Sequence, residues 1–121
     1  NFFEKFEFEY IENFYDLNYL DLSDNYLRIL NYPKTTFNSK LIYLNLSSNM
    51  IDSLPDDLLF SFINLKTLDL SDNYIFNLSS LAFERLVDLK ELYLRKNQLN
   101  FIADKVFNHL NRLNILDLSL N

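Results

Sequence analysis

The chain has 121 residues, about half of them apolar, and a formal net charge of −6. It contains no Cys, no Gly and one His, which removes disulfides, thiolate zinc sites, cysteine nucleophiles, glycine-built phosphate loops and any relay needing two imidazoles. The acidic balance argues against nucleic acid as the main partner, because neutralising phosphates takes Lys and Arg, and no apolar run approaches the ~18 residues of a membrane span.

One period organises the sequence. Asn1, Asn25, Asn49, Asn73, Asn97 and Asn121 stand 24 residues apart, and Leu17, Leu41, Leu65, Leu89 and Leu113 open five units in the same rhythm. Each opening reads LxxLxLxxN, as in Leu65-Lys66-Thr67-Leu68-Asp69-Leu70-Ser71-Asp72-Asn73. The LxL alternation predicts a short strand with one buried face. Identical strands repeated at a fixed interval must lie parallel, about 4.8 Å apart. One unit cannot bury its own leucines, so neighbouring units must cover them. The recurrent Asn follows where the chain leaves the strand and bends inward. Its amide carries both an acceptor and donors, and a stack of such amides can satisfy the backbone groups that the bend leaves unpaired. Asn also tolerates left-handed backbone, a route to turns without Gly.

In chain order, residues 1–16 read as the rear half of a preceding unit. Asn1, Phe3, Phe6, Ile11 and Phe14 fall in the slots of Asn73, Ile75, Leu78, Phe83 and Leu86. A rival reading takes Phe6-Glu7-Phe8-Glu9-Tyr10 as a strand of a terminal cap; the repeat register, with that stretch as extended chain on the back, is preferred. This end is acidic: residues 1–24 hold seven acids against one base.

The unit opening at Leu17 has Leu20, Leu22 and Asn25 in register but ends irregularly, with Thr35 and Asn38 where an aromatic and a leucine are expected. Either Phe37 turns inward or the segment bulges as a loop. The unit from Leu41 has Leu54-Pro55 and Leu59-Phe60-Ser61-Phe62 in its second half. The units from Leu65 and Leu89 continue through Ile75 and Leu78, and Leu99 and Ile102, which turn the chain back, to Leu81-Ala82-Phe83-Glu84-Arg85-Leu86 and Lys105-Val106-Phe107-Asn108-His109-Leu110. Residues 85–112 hold six bases against three acids, so the two ends differ in sign and could steer a partner or a second copy. The unit from Leu113 stops at Asn121.

These motifs resemble the typical 24-residue class of animal leucine-rich repeat ectodomains, LxxLxLxxNxLxxLpxxxFxxLxx. Toll-like receptors, small leucine-rich proteoglycans, lamprey variable lymphocyte receptors and insect immune proteins share that pattern. The resemblance covers nearly the whole chain. It implies an α/β solenoid, a right-handed leucine-rich repeat horseshoe segment with a parallel concave β-sheet, spanning residues 1–121 as a single solenoid. It further implies a non-catalytic recognition module without a cofactor, in an extracellular or cell-surface ectodomain of innate-immune type. Its partner would be a protein or microbial ligand, with homo- or heterodimerisation through the solenoid faces also in reach. The alternative is a structural or adhesion scaffold, matrix-proteoglycan-like or dimerising. Ectodomains of this class close their cores with Cys-rich caps, and none stands here, so the chain is expected to be an internal segment of a longer receptor or secreted protein.

By repeat position the candidate ligand-binding residues are Tyr19, Asp21, Tyr43, Asn45, Thr67, Asp69, Glu91, Tyr93, Arg95 and Asp117, joined on the same face by Ser23, Ser47, Ser71, Ile115 and Ser119. Tyr19 beside Tyr43 makes an anchor-like aromatic patch. Asn25, Asn49, Asn73, Asn97 and Asn121 form the structural ladder. Two N-glycosylation sequons occur, Asn45-Leu46-Ser47 and Asn77-Leu78-Ser79; 17 Asn and 13 Ser or Thr give about two such triplets by chance, so they carry no weight as a sign of secretion. Asp21, Asp69 and Asp117 lie two units apart, roughly 10 Å, too far to share a metal that each must reach at about 2.5 Å.

Overall fold

A computed structural model describes residues 3–31 and 39–121 of the chain. Five three-residue strands, β2 (Tyr19–Asp21), β4 (Tyr43–Asn45), β5 (Thr67–Asp69), β7 (Glu91–Tyr93) and β9 (Ile115–Asp117), form one parallel sheet in the order β2-β4-β5-β7-β9. Every pairing is offset by one repeat: Leu20 faces Leu44, Leu44 faces Leu68, Leu68 faces Leu92 and Leu92 faces Leu116. The 24-residue period is therefore the geometric pitch of a parallel solenoid. Backbone bonds continue the ladder beyond the strands, with the Leu46 N–H donating to Asp69 O and the Ser48 N–H to Ser71 O.

Two smaller parallel pairs stitch the coils elsewhere: β1 (Lys5–Glu7) with β3 (Ile29–Asn31), and β6 (Asn77–Leu78) with β8 (Phe101–Ile102). The β1–β3 register, Phe6 opposite Leu30, keeps the opening residues in the repeat register. The remaining side of each coil is built from tight turns, such as Leu65 N–H to Phe62 O and Leu89 N–H to Leu86 O. Among the described residues the one helix is a 3-10 turn at Phe8–Ile11. The helical half implied by an α/β description is thus largely replaced by turns. A half-coil of about ten residues has to reverse direction and return, which leaves no room for a run of α-helical bonds.

The core is a set of stacked rows. Leu41, Leu65 and Leu89 are fully buried, as are Leu44, Leu68 and Leu92, then Leu46, Leu70 and Leu94, with Phe62, Phe83 and Leu86 closing the far side. Each leucine of these rows has equivalents directly above and below that cover it.

The asparagines fill the interior corner. Asn49, Asn73 and Asn97 are buried. The Asn73 Nδ2 donates to Leu46 O of the preceding coil at 3.0 Å and to Leu70 O and Ser71 O of its own at 3.1 Å, while its Oδ1 accepts the Ile51 N–H at 3.0 Å. Asn49 and Asn97 repeat that pattern one coil away in either direction. Asn25 and Asn121, in the outer coils of the stack, make the same kind of bonds with more exposure. No buried side-chain polar atom lacks a partner among the described residues.

Two expectations change. Left-handed backbone falls on the residue before each ladder Asn: Asp24, Ser48, Asp72, Lys96 and Leu120, with φ between 52 and 57°. The Asn must keep its side chain pointed inward, so the preceding residue takes the strained conformation. Phe14 is exposed, in contrast to Leu86 in the equivalent slot. Phe8, which no repeat position marks as core, is fully buried instead. The alternatives for Phe37 fall within residues 32–38, outside the described residues.

Candidate functional site

The open face of the five-stranded sheet carries three rows of side chains, one per outward strand position. The first row runs Tyr19, Tyr43, Thr67, Glu91, Ile115, and the second Asp21, Asn45, Asp69, Tyr93, Asp117, each residue opposite the next. The third, two residues on, is Ser23, Ser47, Ser71, Arg95, Ser119. The fold thus brings all ten candidate ligand-binding residues onto one surface, because alternate residues of a strand share a face and register fixes their neighbours.

The second and third rows hold a local motif that periodicity alone did not reveal. The Oδ1 of Asp21, Asn45, Asp69 and Asp117 each accepts the backbone N–H of the Ser two residues on, all at 2.9 Å. These side chains close the strand before the left-handed residue, and so serve the turn. The bonds with Ser23 hold the Asp21 carboxyl below the usual carboxylate range, with the Asn45 side chain adding to the effect. Asp117 is lowered in the same way by Ser119.

One coil breaks the motif. Tyr93 and Arg95 stand where the others have Asp or Asn and Ser, yet Lys96 still takes φ 52°. The turn therefore forms without the side-chain bond, and the fold does not need these two residues there. Around them, Glu91 Oε2 accepts from the Tyr93 hydroxyl at 3.2 Å and from Thr67 Oγ1 at 3.4 Å. Partial burial, with the Glu91 carboxylate second, raises the Tyr93 phenol.

At the other side of the sheet Tyr19 and Tyr43 stack face to face, ring centroids 4.3 Å apart and planes within 1°. Tyr19 stays exposed and Tyr43 lies half-buried. Desolvation, then Tyr19, Asp21 and Asp69, push the Tyr43 phenol up to about 12. A flat aromatic plate with flanking carboxylates results, offering contact area at low entropic cost.

The remaining predicted residues separate. Asn45 sits in the sheet with its Oδ1 engaged by Ser47, whereas Asn77 is exposed on β6, away from the sheet. A shallow cleft of about 540 Å³ follows the strand-exit edge between Ser48, Asp72, Tyr74 and Lys96. Exposed ion pairs link residues one repeat apart, Lys40–Asp16, Lys96–Asp72 and Arg112–Asp88; at such exposure they add little stability. Among the described residues no group of three or more His, Cys, Asp or Glu is placed to hold a metal, and no helix is long and apolar enough to cross a membrane.

Family comparison follows the same repeats. The Leucine rich repeat family matches residues 63–121 through one of its models and residues 40–62 through a second, so the two together run unbroken from 40 to 121. The chain belongs to the leucine-rich repeat family. Among solved leucine-rich repeat structures it is similar to TLR13 in its complex with ssRNA13, at 26% identity and a TM-score of 0.73, over 98% of this chain and 20% of that one. It also shares its fold with the Drosophila Toll–Spatzle complex in its glycosylated form, at 24% identity and a TM-score of 0.81, over 98% and 17%. The leucine-rich repeat chain thus spans a fifth or less of these solved chains, and its repeats are similar to theirs. No curated protein matches it significantly.

Proposed function

We propose that this leucine-rich repeat chain is a non-catalytic recognition segment of an extracellular, innate-immune ectodomain, and that it binds a protein or microbial ligand on the open face of its parallel sheet. The observation carrying this reading is the departure at Tyr93 and Arg95. Four coils put a turn-closing carboxylate or amide and a Ser at these positions, and the fifth puts a large aromatic and a guanidinium there without losing the turn. Tyr and Arg are the side chains that most often dominate binding surfaces. The stacked Tyr19–Tyr43 plate gives the same face a second anchor. Similarity to TLR13 and Toll supports the receptor context.

The acidic balance does not decide the partner's class. TLR13 was solved with a single-stranded RNA, so the charge argument against nucleic acid gains no support, and RNA belongs in the test beside protein. The test screens secreted proteins and single-stranded RNA against the wild-type chain, Tyr93→Ser/Arg95→Ser and the back-face variant Phe76→Ser. A ligand of the sheet face loses about tenfold or more in affinity with the first variant and nothing with the second. The opposite pattern moves the site off the sheet, and self-association in place of ligand binding would favour a scaffold.

A further inference from the structure

On the side of the solenoid away from the five-stranded sheet, β6 and β8 pair in register, with Asn77 opposite Phe101 and Leu78 opposite Ile102. Leu78 points inward and is buried, so Asn77 and Phe101 are outward neighbours, about 5 Å apart at the backbone. Phe101 is 60% exposed, Phe76 beside Asn77 is 44% exposed and Ile102 39%. An exposed phenyl ring thus stands beside an exposed Asn amide whose side chain makes no hydrogen bond among the described residues. That Asn opens a sequon, Asn77-Leu78-Ser79.

We infer that Asn77 carries an N-linked glycan whose first N-acetylglucosamine lies over the Phe101 ring. A dry protein interface on this patch would have to bury the unpaired Asn77 amide, which is costly. A glycan uses that amide as its attachment point. It also brings to the neighbouring ring the face of a sugar whose axial C–H groups pack on an aromatic surface. The other sequon offers no such arrangement. Asn45 is half-buried in the sheet, its Oδ1 holds the Ser47 N–H, and its side chain contributes to stabilising the Asp21 carboxylate.

The chemistry is an oligosaccharyl transfer from a lipid-diphosphate-linked oligosaccharide donor, catalysed by the transferase of the secretory pathway. The Asn77 amide nitrogen forms a bond to C1 of N-acetylglucosamine. The C1–O bond to the diphosphate breaks, the lipid diphosphate leaves with that electron pair, and the nitrogen gives up one proton. The inference rests on the extracellular placement proposed above and not on which face binds ligand.

The experiment secretes the full chain from insect cells as the Asn45→Gln variant, so that one sequon remains, and maps the Asn77 peptide by mass spectrometry. Three forms are then compared by anilinonaphthalenesulfonate fluorescence: intact glycan, glycan trimmed to one N-acetylglucosamine, and glycan fully removed with conversion of Asn77 to Asp. Expected is no change on trimming and a rise of about twofold on full removal, as the apolar patch is uncovered. In the Phe101→Ser variant that rise disappears. An unmodified Asn77 in secreted protein, a rise already on trimming, or an equal rise in Phe101→Ser overturns the inference while leaving sheet-face binding standing. Retention of the chain in the cytosol overturns both this inference and the extracellular placement.

Discussion

Phe8 and Phe62 meet edge to face, ring centroids 5.0 Å apart, although a whole repeat separates their coils. Phe62 stands in the slot that Asn38 occupies one repeat earlier in the sequence. Phe8, from the coil before that, is fully buried against it. Phe6 braces Phe8 at 5.2 Å, and Tyr10 packs in turn on Phe6 at 6.0 Å.

Removing that ring leaves a cavity against Phe62. Phe8→Ala is expected to cost about 3–5 kcal/mol, and Phe8→Leu less than half of that. Phe14→Ala, at an exposed position, is expected to cost almost nothing. Urea unfolding followed by circular dichroism separates the three; a Phe8→Ala loss no larger than that of Phe14→Ala would refute the core role of Phe8.

The ladder makes a graded prediction. Asn73→Ala strips the partner from the buried Ile51 N–H and from the carbonyls of Leu46 and Leu70, a loss of roughly 3 kcal/mol at ~1–3 kcal/mol per orphaned group after relaxation. It should exceed the effect of any surface substitution. Asn121→Ala, where water reaches the same groups, should cost under about 1 kcal/mol. Thermal unfolding of both variants tests the gradient, and equal losses would contradict it.

Ser48 lies in left-handed backbone at φ 53°. That conformation costs a residue with a Cβ about 1–2 kcal/mol, while glycine loses up to about 1 kcal/mol through its freer unfolded chain. Ser48→Gly is therefore expected to be neutral or stabilising by up to about 1 kcal/mol, and Ser48→Val, with a branched Cβ, clearly destabilising. Ala at the same site should fall between them. The midpoints in a denaturant series give the order.

Tyr43 gives the fold an alkaline limit. Its phenol is raised to about 12 in the folded chain against about 10 when unfolded. A raised pKa means that the contribution is complete below pH ~10 and is lost as pH climbs from ~10 towards ~12. Spectrophotometric titration should find the Tyr43 phenol ionising late, and Tyr43→Phe should remove both that step and its share of the alkaline stability loss. Asp21 acts in the opposite sense: its lowered pKa gives stability that is present above pH ~4 and declines as pH falls further.

The repeat architecture was legible because every element of it recurs at the same offset. Leu44, Leu68 and Leu92 each announce the others, and Asn49, Asn73 and Asn97 mark the inward bend by their spacing. The open sheet face followed directly, since alternation along a strand sets which residues share a side. The turn-closing role of Asp21 and Asp69 was equally present in the spacing Asp-Leu-Ser, but periodicity alone does not distinguish a turn-closing side chain from a solvated one. Placing the left-handed residue one step before the Asn required knowing which way the amide points.

What the sequence by itself determined is the solenoid: a repeated pattern must stack on itself to bury its leucines, and only parallel, in-register coils allow that. What only the tertiary structure decided are the contacts that do not repeat. Phe8 rather than Phe14 enters the core, Tyr19 and Tyr43 lie flat on one another, and Asn77 stands beside Phe101 on the far side. The physical reason is reach. Side-chain packing between coils depends on rotamers and on the space neighbours leave, and neither quantity is written in the local order of residues.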